Sequence, residues 1–195
     1  GCEKVNIIAH SKGGLDSRYA ISILGMDKYT ASLTTISTPH RGCIFVDKMC
    51  RLPEKLHRGV AKFYDNMFKR LGDKNPDFYG ATHQFTTHNS KEFNEKVIDS
   101  PEVYYQSYIS VMKDCLSDVL LTIPYCFIKK VDEENDGLVS ISSAKWGNFK
   151  GVIRNKYHRG ISHGDIIDLK RQDYKGFDVI EFYIQLVSEL KEMGF

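Results

Sequence analysis

The sequence contains no run of about eighteen apolar residues, the least that a membrane-crossing helix needs. An excess of one charge sign is absent too, because 27 basic side chains face 25 acidic ones for a net charge of +2. The lysines are scattered among acids, which argues against a nucleic-acid-binding surface. The five cysteines (Cys2, Cys43, Cys50, Cys115 and Cys126) are odd in number and include no C-x-x-C pair. That pattern supports neither a disulfide framework nor a zinc motif. Reduced, mostly buried thiols are expected, with a Cys43–Cys50 bond open only in a secreted protein. The start, GCEKVNIIAH, lacks the basic region, apolar run and small-residue cleavage site of a signal peptide. No internal repeat or low-complexity segment occurs.

What is present suits one globular domain. The 195 residues can enclose a real core, and the 42% apolar and 27% charged fractions are ordinary. Residues 5–9 form a short apolar run, the pattern of a strand covered on both faces. A helix is expected over residues 13–24, with Leu15, Tyr19, Ile23 and Leu24 at helical spacing and Gly25 as its stop. Residues 31–38, rich in β-branched side chains, read as a second strand. Residues 125–131 read as a third strand and 151–156 as a weaker fourth. Residues 178–190 form an amphipathic helix whose stripe (Val179, Phe182, Tyr183, Leu186, Val187 and Leu190) is expected to face the core. Strand, helix and strand at this spacing predict a βαβ unit and a parallel sheet. The stretch 43–124 reads differently, with helical segments and a loop-rich part over 72–90, and is expected to be a cap or lid inserted into a single domain spanning 1–195.

Ala9-His10-Ser11-Lys12-Gly13-Gly14 lies between the first strand and the first helix. A serine there sits on a sharp turn that lifts its hydroxyl above the sheet edge. Small residues two before and two after it, Ala9 and Gly13, are expected because neighbouring backbone passes close. The turn opens a helix, so the Lys12 N–H is a natural donor to an oxyanion. A serine also needs a base, and the base needs an orienting acid. In chain order, Asp136 in Glu134-Asn135-Asp136-Gly137 supplies the acid, with Asp132 as runner-up. His163 in Gly160-Ile161-Ser162-His163-Gly164 supplies the base. His10 and His40 precede the acid and fit that order badly; His57, His83, His88 and His158 fall in expected cap or surface segments.

These segments, AHSKGGLDSRY, STPHRG, NDGLVS and SHGD, together with FNEKVIDSPEVYYQS, resemble the bacterial triacylglycerol lipases and esterases of the α/β-hydrolase superfamily. The resemblance runs in family order along nearly the whole chain, starting at the nucleophile-elbow strand. It implies an α/β fold: a mostly parallel sheet flanked by helices, with a helical cap and with earlier strands missing from this chain, which would leave residues 5–9 as an apolar edge. It implies Ser11 as nucleophile, Asp136 as acid, His163 as base, the Lys12 N–H as one oxyanion donor, and His10 and His40 as pocket support. A second oxyanion donor would come from a loop after an earlier strand. The expected reaction is hydrolysis of acylglycerol-type carboxylic esters through an acyl-enzyme, on a lipid substrate at a lipid–water interface. The alternatives are an acyltransferase or thioesterase on the same triad, or a truncated hydrolase-fold protein without activity. Some family members bind calcium through an aspartate two residues after the histidine, the place of Asp165, and Asp118 or Asp114 could be its upstream partner. Helix capping is the expected role of Asp165, and no metal or required cofactor is assigned.

Overall fold

The structure, a computed structural model, describes residues 3–70, 72–132, 134–157 and 159–195. His158 and Cys2 lie outside them. Four strands form one parallel sheet in the order β1 (Val5–His10), β2 (Thr30–Ile36), β3 (Tyr104–Ser110) and β4 (Asn148–Ile153). Alternation along each strand sends side chains to two different cores. Ala9 and Leu33 meet Ile21 of α1 (Lys12–Ile23) on one face. Ile36 and Tyr108 meet Leu186 and Leu190 of α8 (Val179–Glu192) on the other. β2 is buried along almost its whole length despite its Thr and Ser residues, whereas β1, at the sheet edge, is exposed at Val5 and Asn6.

Two expectations are corrected here. Residues 125–131 are not a strand but lie in helix α6 (Thr122–Asp132), which buries Pro124, Tyr125 and Ile128. Tyr125 and Ile128 are three residues apart, a helical spacing that a seven-residue apolar window cannot distinguish from a strand. The true third strand, β3, falls inside the stretch 43–124 assigned to the cap. Its sequence YYQSYIS buries Gln106, Ser107 and Ser110 together with Tyr108 and Ile109. Gln106 Nε2 donates to Thr34 Oγ1 at 2.9 Å and Ser107 Oγ to the Trp146 carbonyl at 2.7 Å, so these buried donors are paired within the fold.

The helices of that stretch are α2 (Ile44–Cys50), α3 (Glu54–Arg70), α4 (Phe78–Gln84) and α5 (Thr87–Lys96). α4 and α5 occupy the segment expected to be loop-rich. Their starts are capped by Asp77 and Thr86, whose side chains accept the Gly80 and Asn89 N–H groups. A short α7 (Ile141–Ala144) precedes β4. Within α1 the buried face is Gly14, Leu15, Arg18 and Ile21, whereas Tyr19, Ile23 and Leu24 are exposed. In α8 the expected stripe holds at Leu186 and Leu190, but Val187 is exposed. Among the described residues no helix is long and apolar enough to cross a membrane.

Candidate active site

Ser11 occupies the one-residue joint between β1 and α1. Its backbone is held at φ 52°, ψ −128°, a region that L-residues avoid. The joint is fixed by the Ser11 N–H, which donates to the Ile36 carbonyl at the end of β2 at 3.0 Å. Crowding at the turn falls one residue later than expected. A Cβ on Gly13 would meet only Ala9 Cβ at 3.9 Å, whereas one on Gly14 would lie 2.2 Å from Thr38 Oγ1. Gly14 is therefore the glycine that lets α1 approach the loop after β2.

Asp136 follows α6 in a tight turn in which its Oδ1 accepts the N–H groups of Leu138 (3.0 Å) and Val139 (2.8 Å). His163 lies in the loop after β4, and its main-chain N–H donates to the Asp136 carbonyl at 2.8 Å. Side chains complete the line: His163 Nδ1 lies 2.7 Å from Asp136 Oδ2, and His163 Nε2 lies 2.8 Å from Ser11 Oγ. The fold thus brings together all three residues expected from chain order. Asp132, the runner-up, instead accepts the Ser142 hydroxyl on the surface.

The electrostatics suit proton transfer. Burial pushes the Asp136 carboxyl up, but His163 and the two N–H donors outweigh it and hold the group below the ordinary range. Asp136 is therefore an anion that fixes the Nδ1–H tautomer of His163. Burial, with the neighbouring His163, pushes His10 down to about 3, so its ring is neutral. That ring packs 4.5 Å from the ring of His163, on the site side of the sheet. Lys12 is the first residue of α1, and first-turn N–H groups have no intrahelical acceptor. Its side chain turns away to pair with Asp16 at 2.5 Å.

His40 is placed differently from its expected role in the pocket. Its ring is fully buried, so it can touch no substrate. Nε2 meets Thr35 Oγ1 at 3.0 Å, and the ring stacks on Trp146 at 5.0 Å. Beside it Arg18, also buried, donates to Asn94 Oδ1 (2.8 Å), the Val97 carbonyl (3.0 Å) and Asp99 Oδ1 (3.2 Å), with Trp146 3.6 Å over its guanidinium. This cluster braces α1 from below. Its partners come from segments far apart in the chain, so no local sequence pattern signals it.

The carboxylates that might hold calcium already have partners. Asp165 accepts Arg159 Nη2 (2.8 and 3.0 Å), the Tyr174 hydroxyl (2.7 Å) and the Ser162 N–H (3.0 Å). Asp118 accepts Lys170 Nζ (2.6 Å) and the Ser162 hydroxyl (2.9 Å). Asp114 turns back on Leu116 and Ser117. Two built-in cations neutralise the two buried carboxylates, so these residues do not fit a calcium site. Asp165 acts not as a helix cap but as a clamp on Ser162, the neighbour of His163.

An apolar groove runs between α2, α3 and residues 119–124. Its volume is about 650 Å³, and Phe45, Met49, Leu52, Leu56, Phe63 and Ile123 line it.

No family model matches the chain. Triacylglycerol lipase 2 of Saccharomyces cerevisiae is 33% identical over 209 residues, covering 98% of this chain and 58% of that protein. A triacylglycerol lipase of Pseudomonas fragi is 26% identical over 231 residues, covering all of this chain and 75% of that protein. The chain therefore spans little more than half the length of its yeast relative. Among solved structures, Staphylococcus hyicus lipase superposes with a TM-score of 0.70 at 19% identity, over 98% of this chain and 70% of that one. A metagenomic carboxyl esterase superposes with a TM-score of 0.63 at 17% identity, over 84% and 46%.

Proposed function

We propose that the chain is a lipase or esterase of the α/β-hydrolase fold, a reading that its likeness to triacylglycerol lipases supports, and that it carries the reacting groups of a serine hydrolase acting on carboxylic esters with apolar acyl chains. One observation carries the reading: Ser11 Oγ, His163 and Asp136 form a continuous hydrogen-bonded line of 2.8 and 2.7 Å from three separate segments.

In the proposed cycle His163 Nε2 takes the proton of Ser11 as Oγ bonds to the ester carbonyl carbon. The carbonyl oxygen becomes an anion, and the Lys12 N–H, at the positive end of α1, donates to it. Collapse of this intermediate breaks the bond to the alcohol, which leaves with the proton held by His163. Water then attacks the acyl-enzyme, again giving its proton to His163. The acid departs, and Ser11 recovers its hydrogen. Asp136 stays ionised throughout and stabilises the imidazolium. The apolar groove of the cap supports a lipid acyl chain as the bound part of the substrate.

The test is hydrolysis of p-nitrophenyl esters of graded chain length by the parent, Ser11→Ala and His163→Ala. The reading expects turnover by the parent and its loss in both variants. Undiminished turnover in Ser11→Ala would overturn it.

A further inference from the structure

Three helices converge on a second group of metal-ligating side chains, which shares no residue with the triad. Cys50 is the last residue of α2, His57 lies in the first turns of α3, and His83 lies near the end of α4. One ligand atom from each lies within 4.8 Å of those of the other two. We propose that Cys50, His57 and His83 bind a single zinc-class divalent ion that ties these three helices together. The sequence, without a C-x-x-C or comparable spacing, predicts no such site; the fold assembles it from three elements.

The donor set selects the ion. A thiolate and two imidazoles suit zinc, whereas calcium and magnesium take oxygen ligands. At Zn–S of about 2.3 Å and Zn–N of about 2.0–2.1 Å, tetrahedral ligand atoms stand about 3.3–3.6 Å apart. From separations of up to 4.8 Å the group need contract by at most about 1.5 Å, within the reach of side-chain rotation.

Both rings are already steered by outer partners, as metal-binding histidines usually are. His83 Nδ1 lies 2.9 Å from the Tyr79 carbonyl, which can only accept. The proton therefore sits on Nδ1, and the lone pair of Nε2 is available to a metal. His57, buried, meets Thr82 Oγ1 through Nε2 at 3.2 Å and packs between the rings of Tyr79 (4.7 Å) and His83 (5.5 Å). The nearby Arg58 is paired with Glu54 at 2.8 Å.

As the Zn–S bond forms, the Cys50 thiol releases its proton to solvent. Three protein ligands leave a fourth position for water. Met49, Leu52 and Leu56 of the apolar groove flank two of the ligands in sequence, so the ion would also set the wall of that groove.

The test uses the whole chain, stripped with chelator under reductant and then titrated with zinc alone and with cobalt(II) alone. One equivalent of zinc is expected to bind, and the cobalt form should show a thiolate charge-transfer band. Cys50→Ser should abolish the band. Both Cys50→Ser and the exposed-site variant His83→Ala should weaken zinc at least about a hundredfold, since losing even an outer partner of a ligand costs about 10–100-fold. Cys115→Ser should bind as the parent does. Zinc should raise the melting midpoint of the parent and not that of Cys50→Ser. A parent that binds no zinc, or variants that bind it with parental affinity and stoichiometry, would overturn the proposal. Neither result bears on the triad, which is read by ester turnover.

Discussion

Asp136 holds His163 twice: its carboxylate lies 2.7 Å from the ring Nδ1, and its main-chain carbonyl accepts the main-chain N–H at 2.8 Å. The ring and the backbone of the same residue are thus fixed by one partner. Only the first of these bonds depends on the charge of the side chain.

That division makes Asp136→Asn informative. The main-chain bond survives, so the loop stays in place, but the carboxylate that selects the Nδ1–H tautomer is lost. We expect kcat to fall about 10⁴-fold, as for the equivalent change in chymotrypsin-type triads, with KM little altered. Steady-state kinetics and the melting midpoint check both halves.

The two glycines after Ser11 should respond in opposite ways. Gly13→Ala meets only Ala9 Cβ at 3.9 Å, and alanine favours the helix by about 1 kcal/mol; its stability should hold or rise. Gly14→Ala would place a methyl 2.2 Å from Thr38 Oγ1 and should cost about 1–3 kcal/mol. Urea unfolding of the pair decides this.

Acid should destabilise the protein through His10 before it reaches Asp136. His10 has a folded pKa of about 3 against an ordinary 6.5. The unfolded chain therefore binds the proton first. The contribution of the neutral ring is complete above about pH 6.5 and is lost as pH falls toward 3, by about 1–2 kcal/mol at pH 5. Asp136, lowered below its ordinary 3.8, contributes fully above that value and is lost only as pH falls through its lower folded value. His10→Gln should flatten the stability loss between pH 6.5 and 5, as measured by unfolding at each pH.

Arg159 should matter to activity without touching substrate. Its Nη2 donates to both carboxylate oxygens of the buried Asp165, which accepts the Ser162 N–H and so holds the loop carrying Ser162 and His163. Arg159→Met leaves Asp165 short of charge compensation and should cost about 1–3 kcal/mol, less than a fully buried pair because the guanidinium is partly exposed. A fall in kcat larger than the change in KM is expected, since it is the base that loosens.

The elbow and the order Ser11, Asp136, His163 were legible because each rests on local signals: a strand, a tight turn, a helix start. β1 was legible as an apolar run, β2 by its β-branched residues and α8 by its periodicity; α1 was legible as an element, although Tyr19, Ile23 and Leu24 of its expected stripe are exposed. β3 was not, because YYQSYIS buries polar residues whose partners, Thr34 and Trp146, lie far away in sequence. Residues 125–131 misled because a short apolar run fits strand and helix alike. His40 sat beside a motif yet serves Arg18 and Trp146, and the cluster of Cys50, His57 and His83 exists only once three helices meet. What sequence hides here is long-range pairing of polar side chains.

The central claim, that Ser11 is a nucleophile activated by His163, is tested most directly by a fluorophosphonate probe followed by peptide mapping. Attack by Oγ on phosphorus expels fluoride and leaves a stable adduct. The account predicts a single adduct on Ser11 in the parent, none in Ser11→Ala, and labelling at least about a hundredfold slower in His163→Ala, because an unassisted serine is a weak nucleophile. A folded parent that takes no label, or an adduct that maps to another serine, would contradict it.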